Sequence, residues 1–392
     1  MQLEKPKLFP ETKTFIWVIL FFLLVILIRL FFEYQAYRDF ISKPFYYTHA
    51  NVLNLYKKSK GDQEYQVLKL RSDEGLTFYT TNYSQDNFDH KRLRLQIFPS
   101  KKISFSDYLG TFYVKSRMKA QEPLPVTFLE KELREKISML GVSHLVALSG
   151  FHLGILWGLV YGLLLLLYRP LQQHFFPYRH ALFDVGAVAM LLLGGYLWFV
   201  DFPPSLLRSY AMVLVGWMVL LLGMELLSFT FLTTIILILV ALFPYLLVSL
   251  SFGLSVAGVF YIFLLLQYRK GLHTWMITLV LIPLGIFVLM LPILHTVFPV
   301  TSGYQLLSPW LSLLFIPFYP FVMFLHLLGF GSLLDTGLLA LFALPKISTE
   351  SLLPLWALFG YISISIGAIW SKKLFWSLTG LAVLYAHYIF LV

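Results

Sequence analysis

The sequence predicts a polytopic α-helical membrane protein with a small β-rich domain outside the membrane. Hydrophobic residues make up 58% of the 392 residues and charged residues only 13%, which leaves too little polar surface for a soluble protein of this size. Apolar runs of membrane-spanning length recur along most of the chain. Residues 36–128 instead alternate polar and apolar side chains, as half-buried strands do. The chain contains no cysteine, which excludes disulfides and thiolate metal sites.

The first element is a membrane anchor within residues 1–35. Its apolar run, residues 15–32, follows three lysines, and the one charged residue in the run is Arg29, whose side chain can extend toward the membrane surface. The run is longer than the core of a signal peptide, and no small-residue cleavage site follows it. We therefore expect the anchor to be retained.

Residues 36–128 are expected to fold as a small β-barrel. Four segments alternate in hydrophobicity, and turn signals occur at residues 60–62 and 73–75; the segments are NVLNLYKK, YQVLKLRS, LTFYTTNY and RLRLQIF. A length of about ninety residues suits an OB-like fold.

This β-rich domain combines basic and aromatic residues in a way that suits single-stranded nucleic acid, where bases stack on rings and phosphates meet cations. The alternative is that the aromatic residues are core and the basic residues a solvated face. The candidate DNA-binding residues are Lys57, Lys58, Lys91, Arg92, Arg94, Lys101, Lys102, Tyr79 and Tyr83, with Tyr56, Tyr65 and Phe78 as further stacking candidates.

Residues 129–143 are expected to form an amphipathic helix at the membrane surface. Leu129, Leu133, Ile137 and Leu140 recur at helical spacing, with Glu and Lys on the other side.

Residues 144–392 are expected to be a multi-span domain. With the anchor, it gives about eleven spans at about 20 residues per helix, although segments 333–345 and 244–251 are also candidates for re-entrant structure. The expected spans are 144–168, 181–199, 205–223, 229–247, 252–267, 274–294, 306–328, 333–345, 350–370 and 374–391.

Short basic loops predict the orientation. Loops at 169–179, 269–270 and 372–373 fall on one side of an eleven-span arrangement, and the positive-inside rule makes that side cytoplasmic. The amino terminus is then cytoplasmic and residues 36–128 are extracytoplasmic.

The segment 144–162 carries a polar cluster in an apolar, membrane-length run. His144, Ser149 and His152 lie near its start, where a water-filled path could supply their hydrogen bonds; interhelical hydrogen bonding is the alternative. Glycines recur every four residues and predict a flat ridge packed against another helix; they are Gly150, Gly154, Gly158 and Gly162.

A second polar cluster surrounds two prolines. Pro204 and Ser205 suit the first turn of a helix, and Arg208 follows near the outer end of that span. Arg208 could pair with Asp201 or contact a passing phosphate, and these roles do not exclude each other.

Catalytic chemistry is less favoured. Ser149 and His152 can be helix neighbours, but no acid follows in triad order and no Gly-x-Ser-x-Gly motif is present. A metal site using His144, His152 and Asp201 is awkward because the eight-residue spacing turns the histidines about 80° apart on a helix. We expect no catalytic residues, no metal and no cofactor.

The stretch from His144 to His152, HLVALSGFH, resembles the signature of the competence domain of ComEC-type proteins. Three later segments resemble further motifs of the family and occur in the same order: Pro204 to Arg208, Ser251 to Ser255 and Ser308 to Pro320. The resemblance covers residues 36–345. The resemblance implies a channel that imports single-stranded DNA during natural transformation, with an OB-like domain before it. It adds Ser251 and Ser255 to the candidate translocation path.

The expected protein is therefore a multi-pass bacterial inner-membrane channel for single-stranded DNA. A small-molecule transporter is the main alternative and an intramembrane hydrolase the next. The family's metallo-β-lactamase-like domain has no counterpart before the chain ends at Val392. A separate nuclease and a cytoplasmic DNA motor are therefore expected partners, with a periplasmic DNA-receptor protein and membrane lipid. Sequence does not set the oligomeric state.

Overall fold

The computed structural model describes residues 11–60, 63–83, 88, 91–123, 150–199, 204–221, 228–269, 271–334, 337 and 349–391. The chain divides into two compact units. One comprises Lys13–Leu129 with Ile236–Phe252, and the other comprises Met1–Thr12, Glu130–Ile235 and Gly253–Val392. The interfacial helix expected at 129–143 lies outside the described residues.

In the first unit, helix α1 runs without a break from Thr12 to Ser42. Its 31 residues extend about 46 Å, against about 30 Å for the hydrocarbon core of a bilayer. The last turns pack into the β-rich domain: Tyr37 donates a 2.7 Å hydrogen bond to the Ile103 carbonyl, and Phe40 is 5% exposed. The anchor expected at 15–32 is thus part of a longer helix that ends in the β-rich domain.

The β-rich domain is a six-stranded sheet with strand order β5-β3-β2-β1-β4-β6. The strands are β1 Tyr46–Lys60, β2 Gln63–Ser72, β3 Thr77–Asn82, β4 Lys91–Phe98, β5 Phe112–Tyr113 and β6 Lys115–Pro123, with helix α2, Phe105–Leu109, before β5. The β-rich domain expected from alternation is confirmed.

The two edges of this sheet are joined by one stretch of chain. β5 pairs in parallel with β3, and β6 pairs antiparallel with β4, with only Val114 between them. The Val114 amide donates to the Tyr79 carbonyl at 2.9 Å, and the hydroxyls of Thr80 and Ser116 lie 2.8 Å apart. The sheet therefore curls into a partly closed barrel.

Alternation along the strands builds the barrel core. In β4, Leu93, Leu95 and Ile97 are buried, while Arg94 between them is exposed. The buried residues of the cluster come from α1, the strands and the loops between them: Phe40, Ala50, Val52, Leu68, Leu70, Phe78, Phe88, Leu93, Leu95, Ile97, Ile103, Phe112 and Val114.

The predicted turn at 73–75 is a tight connection between β2 and β3. Gly75 has φ 88°, a left-handed conformation that glycine adopts without a steric penalty. Thr48 donates a 2.6 Å hydrogen bond to the Glu74 carboxylate. Partial burial acts to raise the pKa of Glu74, but hydrogen bonds, led by that of Thr48, lower it overall. Asp73 pairs with Arg92 across the sheet.

A break in the helical chain completes this unit. Helix α6, Phe229–Leu242, ends just before Pro244, and residues Pro244–Val248 form a 3₁₀ turn that we call the corner segment. Helix α7, Leu250–Tyr268, follows at once. Proline lacks an amide hydrogen and cannot continue the α-helical ladder, which explains why the span expected at 229–247 is interrupted where irregular backbone was expected.

The remaining helices are α3 Gly150–Phe175, α4 Ala181–Phe199, α5 Pro204–Leu221, α8 Thr274–Leu294, α9 Ser308–Leu327, α10 Leu355–Gly367 and α11 Lys372–Leu391. Among the described residues, 6 helices are long and apolar enough to cross a membrane. They are Thr12–Ser42, Leu153–Phe175, Ala181–Phe199, Leu250–Tyr268, Thr274–Leu294 and Gly303–Leu327. Most of segment 333–345 lies outside the described residues.

Two tyrosines tie α7 and α8 to α10 in the second unit. The Tyr261 hydroxyl lies 3.0 Å from Ser365 Oγ, and the Tyr361 hydroxyl donates to the Leu289 carbonyl at 2.9 Å. These buried hydrogen bonds satisfy polar groups that lipid could not.

The predicted glycine ridge does not act as a packing surface among the described residues. A Cβ added at Gly154, Gly158 or Gly162 would meet no atom within 4 Å there, so the ridge contacts no helix in the described part of the chain. Close approach occurs instead between α4 and α5, where a Cβ on Gly186 would fall within the Trp217 indole. Small residues permit close packing wherever they occur, but their spacing does not decide which helix takes a neighbour.

Candidate functional site

A group of five tyrosines lies on the outer side of the barrel, and we call it the tyrosine face: Tyr56, Tyr65, Tyr79, Tyr83 and Tyr113. Tyr79 and Tyr113 stack with ring centroids 5.2 Å apart and an interplanar angle of 23°. Tyr56 contacts Tyr79 at 6.5 Å, and Tyr65 contacts Tyr83 at 6.1 Å. Tyr113 is 56% exposed, so a ring surface remains open to a ligand.

Strand register brings these rings together. Asn54, Lys69, Tyr79 and Tyr113 are successive direct partners across β1, β2, β3 and β5. The Lys69 ammonium lies 5.7 Å from the centroid of Tyr79, a cation–π distance. One transverse row therefore places an amide, a cation and two stacked rings side by side.

Val67 shows that the tyrosine face is itself packed. It is 3% exposed but does not belong to the barrel core cluster. Its direct partners across the sheet are Tyr56 and Thr81, on the outer side. An apolar side chain buried under an outward surface gives that surface a fixed shape, which lowers the entropy lost when a ligand binds.

A strip of exposed basic side chains continues from the tyrosine face. After Tyr113, the outward positions of the closing segment are Lys115 and Arg117, and Arg117 pairs in register with Gln96 of β4. Arg94 is exposed two residues earlier on β4, opposite the exposed His49 of β1. We call His49, Arg94, Lys115 and Arg117 the basic strip.

The predicted DNA-binding residues divide among three locations. Tyr79, Tyr83 and Lys58 lie on the outer side of the tyrosine-bearing strands, and Arg94 lies in the basic strip. Lys101 and Lys102 are exposed in the turn beyond Phe98, the end of β4, which lies about 20 Å along the strand from Arg92 at about 3.3 Å per residue. For Lys57 and Lys91 the structure describes the backbone alone, in β1 and β4. The candidate basic residues are therefore spread along the barrel.

Two expectations need correction. Phe78 is fully buried and stacks on Phe112 inside the barrel, so it is a core residue and not a stacking surface for bases. Arg92 forms an ion pair with Asp73, so its charge is partly neutralised by a residue that is distant in sequence.

Sequence reasoning missed Lys69, Tyr113, Lys115 and Arg117. The signal available for Tyr113, Lys115 and Arg117 was alternation in FYVKSR, with the aromatic and basic residues at every second position. The alignment of Lys69 with Tyr79 required the strand register.

In the second unit, the first residues of α3 and α5 pack against the end of α4. Leu153, Leu193, Leu197 and Leu206 form one almost fully buried cluster, and the Tyr210 hydroxyl donates to the Met190 carbonyl at 3.1 Å. His152 precedes Leu153 on α3, and Arg208 follows Leu206 by two residues on α5. The packing therefore places the backbone positions of His152 and Arg208 at the same end of the three helices.

The other path candidates are placed unevenly. His144, Ser149 and Asp201 lie outside the described residues, and the structure describes only the backbone of Gly150, His152, Pro204, Ser205 and Arg208, at the starts of α3 and α5. Ser251 is exposed at the start of α7, and Ser255 is half-buried one turn later. Within the described part of the chain, no group of three His, Asp or Glu residues could hold a metal ion.

Comparison with known proteins gives a family match. A family model described as Competence protein matches residues 127–392, about two thirds of the chain. No curated protein matches, and no solved structure matches.

Proposed function

The chain belongs to the competence protein family, and from this premise we propose that it is a channel passing single-stranded DNA across the bacterial inner membrane during natural transformation. Family membership supports a role in DNA uptake, and the chain is a membrane protein. The observation that carries the more specific proposal is the tyrosine face with the basic strip beside it on the outer domain.

The outer domain, with the OB-like arrangement, captures the strand. Unpaired bases stack on the exposed ring of Tyr113, which the half-buried Tyr79 supports from its other side, with stacking contributing about 1–3 kcal/mol per base. Phosphates meet Arg94, Lys115 and Arg117, and the release of their counterions makes the affinity fall as salt rises. Duplex DNA hides its base faces, so the rings favour a single strand.

The captured strand then enters a polar path between helices. The path uses His144, Ser149, Gly150, His152, Asp201, Pro204, Ser205, Arg208, Ser251 and Ser255. The shared packing of α3, α4 and α5 supports it, because the positions of His152 and Arg208 lie at one end of that cluster. Many weak contacts allow the strand to move, whereas one tight phosphate site would hold it.

The membrane arrangement is the eleven-span one, with the amino terminus in the cytoplasm and the outer domain in the periplasm. A periplasmic DNA-receptor protein delivers DNA, a separate nuclease removes the other strand, and a cytoplasmic motor pulls the strand inward. The chain itself conducts DNA and is not an enzyme.

The test uses the full chain with Tyr79→Ala, Tyr113→Ala and the control Tyr47→Ala. Tyr47 is 50% exposed on β1 and lies outside the tyrosine face. We expect each of the first two changes to weaken single-stranded DNA binding by about tenfold, which corresponds to about 1.4 kcal/mol of lost stacking, and to reduce DNA uptake in cells. The control should change neither. Equal effects of all three, or wild-type binding in all three, would contradict capture on the tyrosine face.

A further inference from the structure

The first unit contains a contact between the outer domain and the corner segment. Helix α2 packs against this 3₁₀ turn, and a Cβ added at Gly110, the residue that ends α2, would lie 3.4 Å from Val248 Cγ2. The domain therefore lies against the break between α6 and α7.

Helix α2 is a rigid support for this contact. Ser104 and Asp107 form a capping box: the Ser104 side chain accepts from the Asp107 amide, and the Asp107 carboxylate accepts from the Ser104 amide, each at 3.1 Å. The two bonds satisfy amides that a short helix would otherwise leave open. At the other end of α2, the Gly110 amide donates to the Ser106 and Asp107 carbonyls at 3.0 and 3.1 Å, which joins Gly110 to the capped turn.

The amino-terminal connection of the domain provides a second attachment. α1 continues unbroken into the domain core, where Phe40 packs on Tyr108 and Phe112 with ring centroids 5.5 and 5.6 Å apart. Hinge motion needs a few residues whose φ and ψ can change, and a continuous helix offers none. Only residues 43–45 separate α1 from β1.

A third attachment lies earlier on α1, at Arg29. The Arg29 guanidinium donates a long hydrogen bond, 3.4 Å, to the Leu242 carbonyl at the end of α6. This carbonyl has lost its usual helical partner because Pro244 interrupts the chain. α1 therefore contacts one side of the break while α2 contacts the corner segment.

We propose that the outer domain stays fixed against the corner segment throughout DNA uptake. The contact between Gly110 and Val248, which we call the joint, determines where a captured strand is delivered. This inference rests on the proposed function. The corner segment leads directly to Ser249, which caps α7, and to the exposed Ser251 beside it. A strand held on a fixed domain meets this site at high effective concentration, whereas a swinging domain would dilute it.

The first test locks the joint. The chain has no cysteine, so Gly110→Cys with Val248→Cys gives a single pair. The 3.4 Å approach is to Val248 Cγ2, which is one bond from Cβ, so the two Cβ atoms lie within about 5 Å of each other, a range that includes the separation of about 3.8 Å in disulfides. We expect mild oxidation to link the pair in membranes with no change in DNA uptake. Failure to link, or uptake that falls on oxidation and returns on reduction, would overturn the proposal.

The second test separates the surfaces. Val248→Glu places a charge in the contact, and Leu247→Glu is its matched control in the same turn; the two side chains are 41% and 53% exposed. We expect Val248→Glu to reduce uptake about tenfold while single-stranded DNA binding and the level of membrane protein stay unchanged. The control should leave uptake intact. Normal uptake in Val248→Glu, or an equal loss in the control, would contradict the proposed role of the joint. The capture step is tested separately, by the loss of DNA binding in the Tyr79 and Tyr113 variants.

Discussion

Phe78 and Tyr79 are neighbours in β3 with opposite environments. Phe78 stacks on Phe112 inside the barrel, and Tyr79 stacks on Tyr113 outside it, because successive side chains of a strand point to opposite faces. Two residues of β5 therefore add one aromatic pair to the core and one to the tyrosine face. A shift of one position along the strand therefore determines whether a ring packs in the core or lies on the surface.

Two arginines on β4 make a matched pair for a test of charge. Arg94→Gln should reduce the salt dependence of single-stranded DNA binding by about 0.7 in the slope of log affinity against log salt, the loss of one phosphate contact. Arg92→Gln should change that slope less, because Asp73 already pairs with its guanidinium. A salt series on the purified full chain measures both, and equal slope changes would show that the ion pair with Asp73 is irrelevant to binding.

The candidate path residues have matched controls on α3. We expect Arg208→Ala and His152→Ala to reduce DNA uptake by about tenfold or more, since a hydrogen bond to a charged group contributes about 1.5–3 kcal/mol. Arg169→Ala and His174→Ala remove the same side-chain types from exposed positions near the other end of α3 and should leave uptake near the wild-type level.

Protein levels in the membrane must be equal in these four variants. Leu153 and Leu206 are unsuitable as controls, because both belong to the buried cluster of α3, α4 and α5. Similar uptake in all four variants would assign His152 and Arg208 to helix packing.

At the level of whole elements, glycines in α3 and α4 have contrasting surroundings. Gly158 has open space where a Cβ would project, while Gly186 faces the Trp217 indole. The same residue type thus has no neighbour at one helix face in the part of the chain that the structure describes and permits close contact at another.

This contrast predicts different stabilities. Gly186→Ala should destabilise the protein by about 1–3 kcal/mol, the usual cost of overpacking, because the indole must move. Gly158→Ala should be neutral or stabilising by up to about 1 kcal/mol, because alanine favours helix over glycine. Thermal unfolding of the detergent-solubilised chain measures both, and a lower melting temperature for Gly158→Ala would mean that its helix face is covered.

The secondary structure was largely predictable, while the contacts between elements were not. Alternation identified the strands, and Pro244 marked the end of α6, because both are local effects. The pairing of Tyr79 with Tyr113 and of Arg92 with Asp73 depends on strand register over long sequence distances. The glycine spacing in α3 indicated a surface fit for close packing but carried no information about a partner.

At the scale of the whole molecule, the eleven-span arrangement makes a prediction about sidedness. Reporter fusions should place residue 90 outside and residues 271 and 372 inside, because the basic residues Arg269, Lys372 and Lys373 favour the cytoplasm. Reporter activity on both sides of the membrane measures this. Finding residues 90 and 372 on the same side would remove one span, with segment 333–345 the first to reconsider.

The late position of β5 in the barrel has a consequence for folding order. Phe112 and Tyr113 join β3 only after β1, β2, β3 and β4 have been made, and contacts across such long stretches of chain form slowly. The stacked rings of Tyr79 and Tyr113 therefore form only once β5 has paired with β3. An affinity for single-stranded DNA would then report that this pairing has formed, and DNA present during folding would stabilise only the states that contain it.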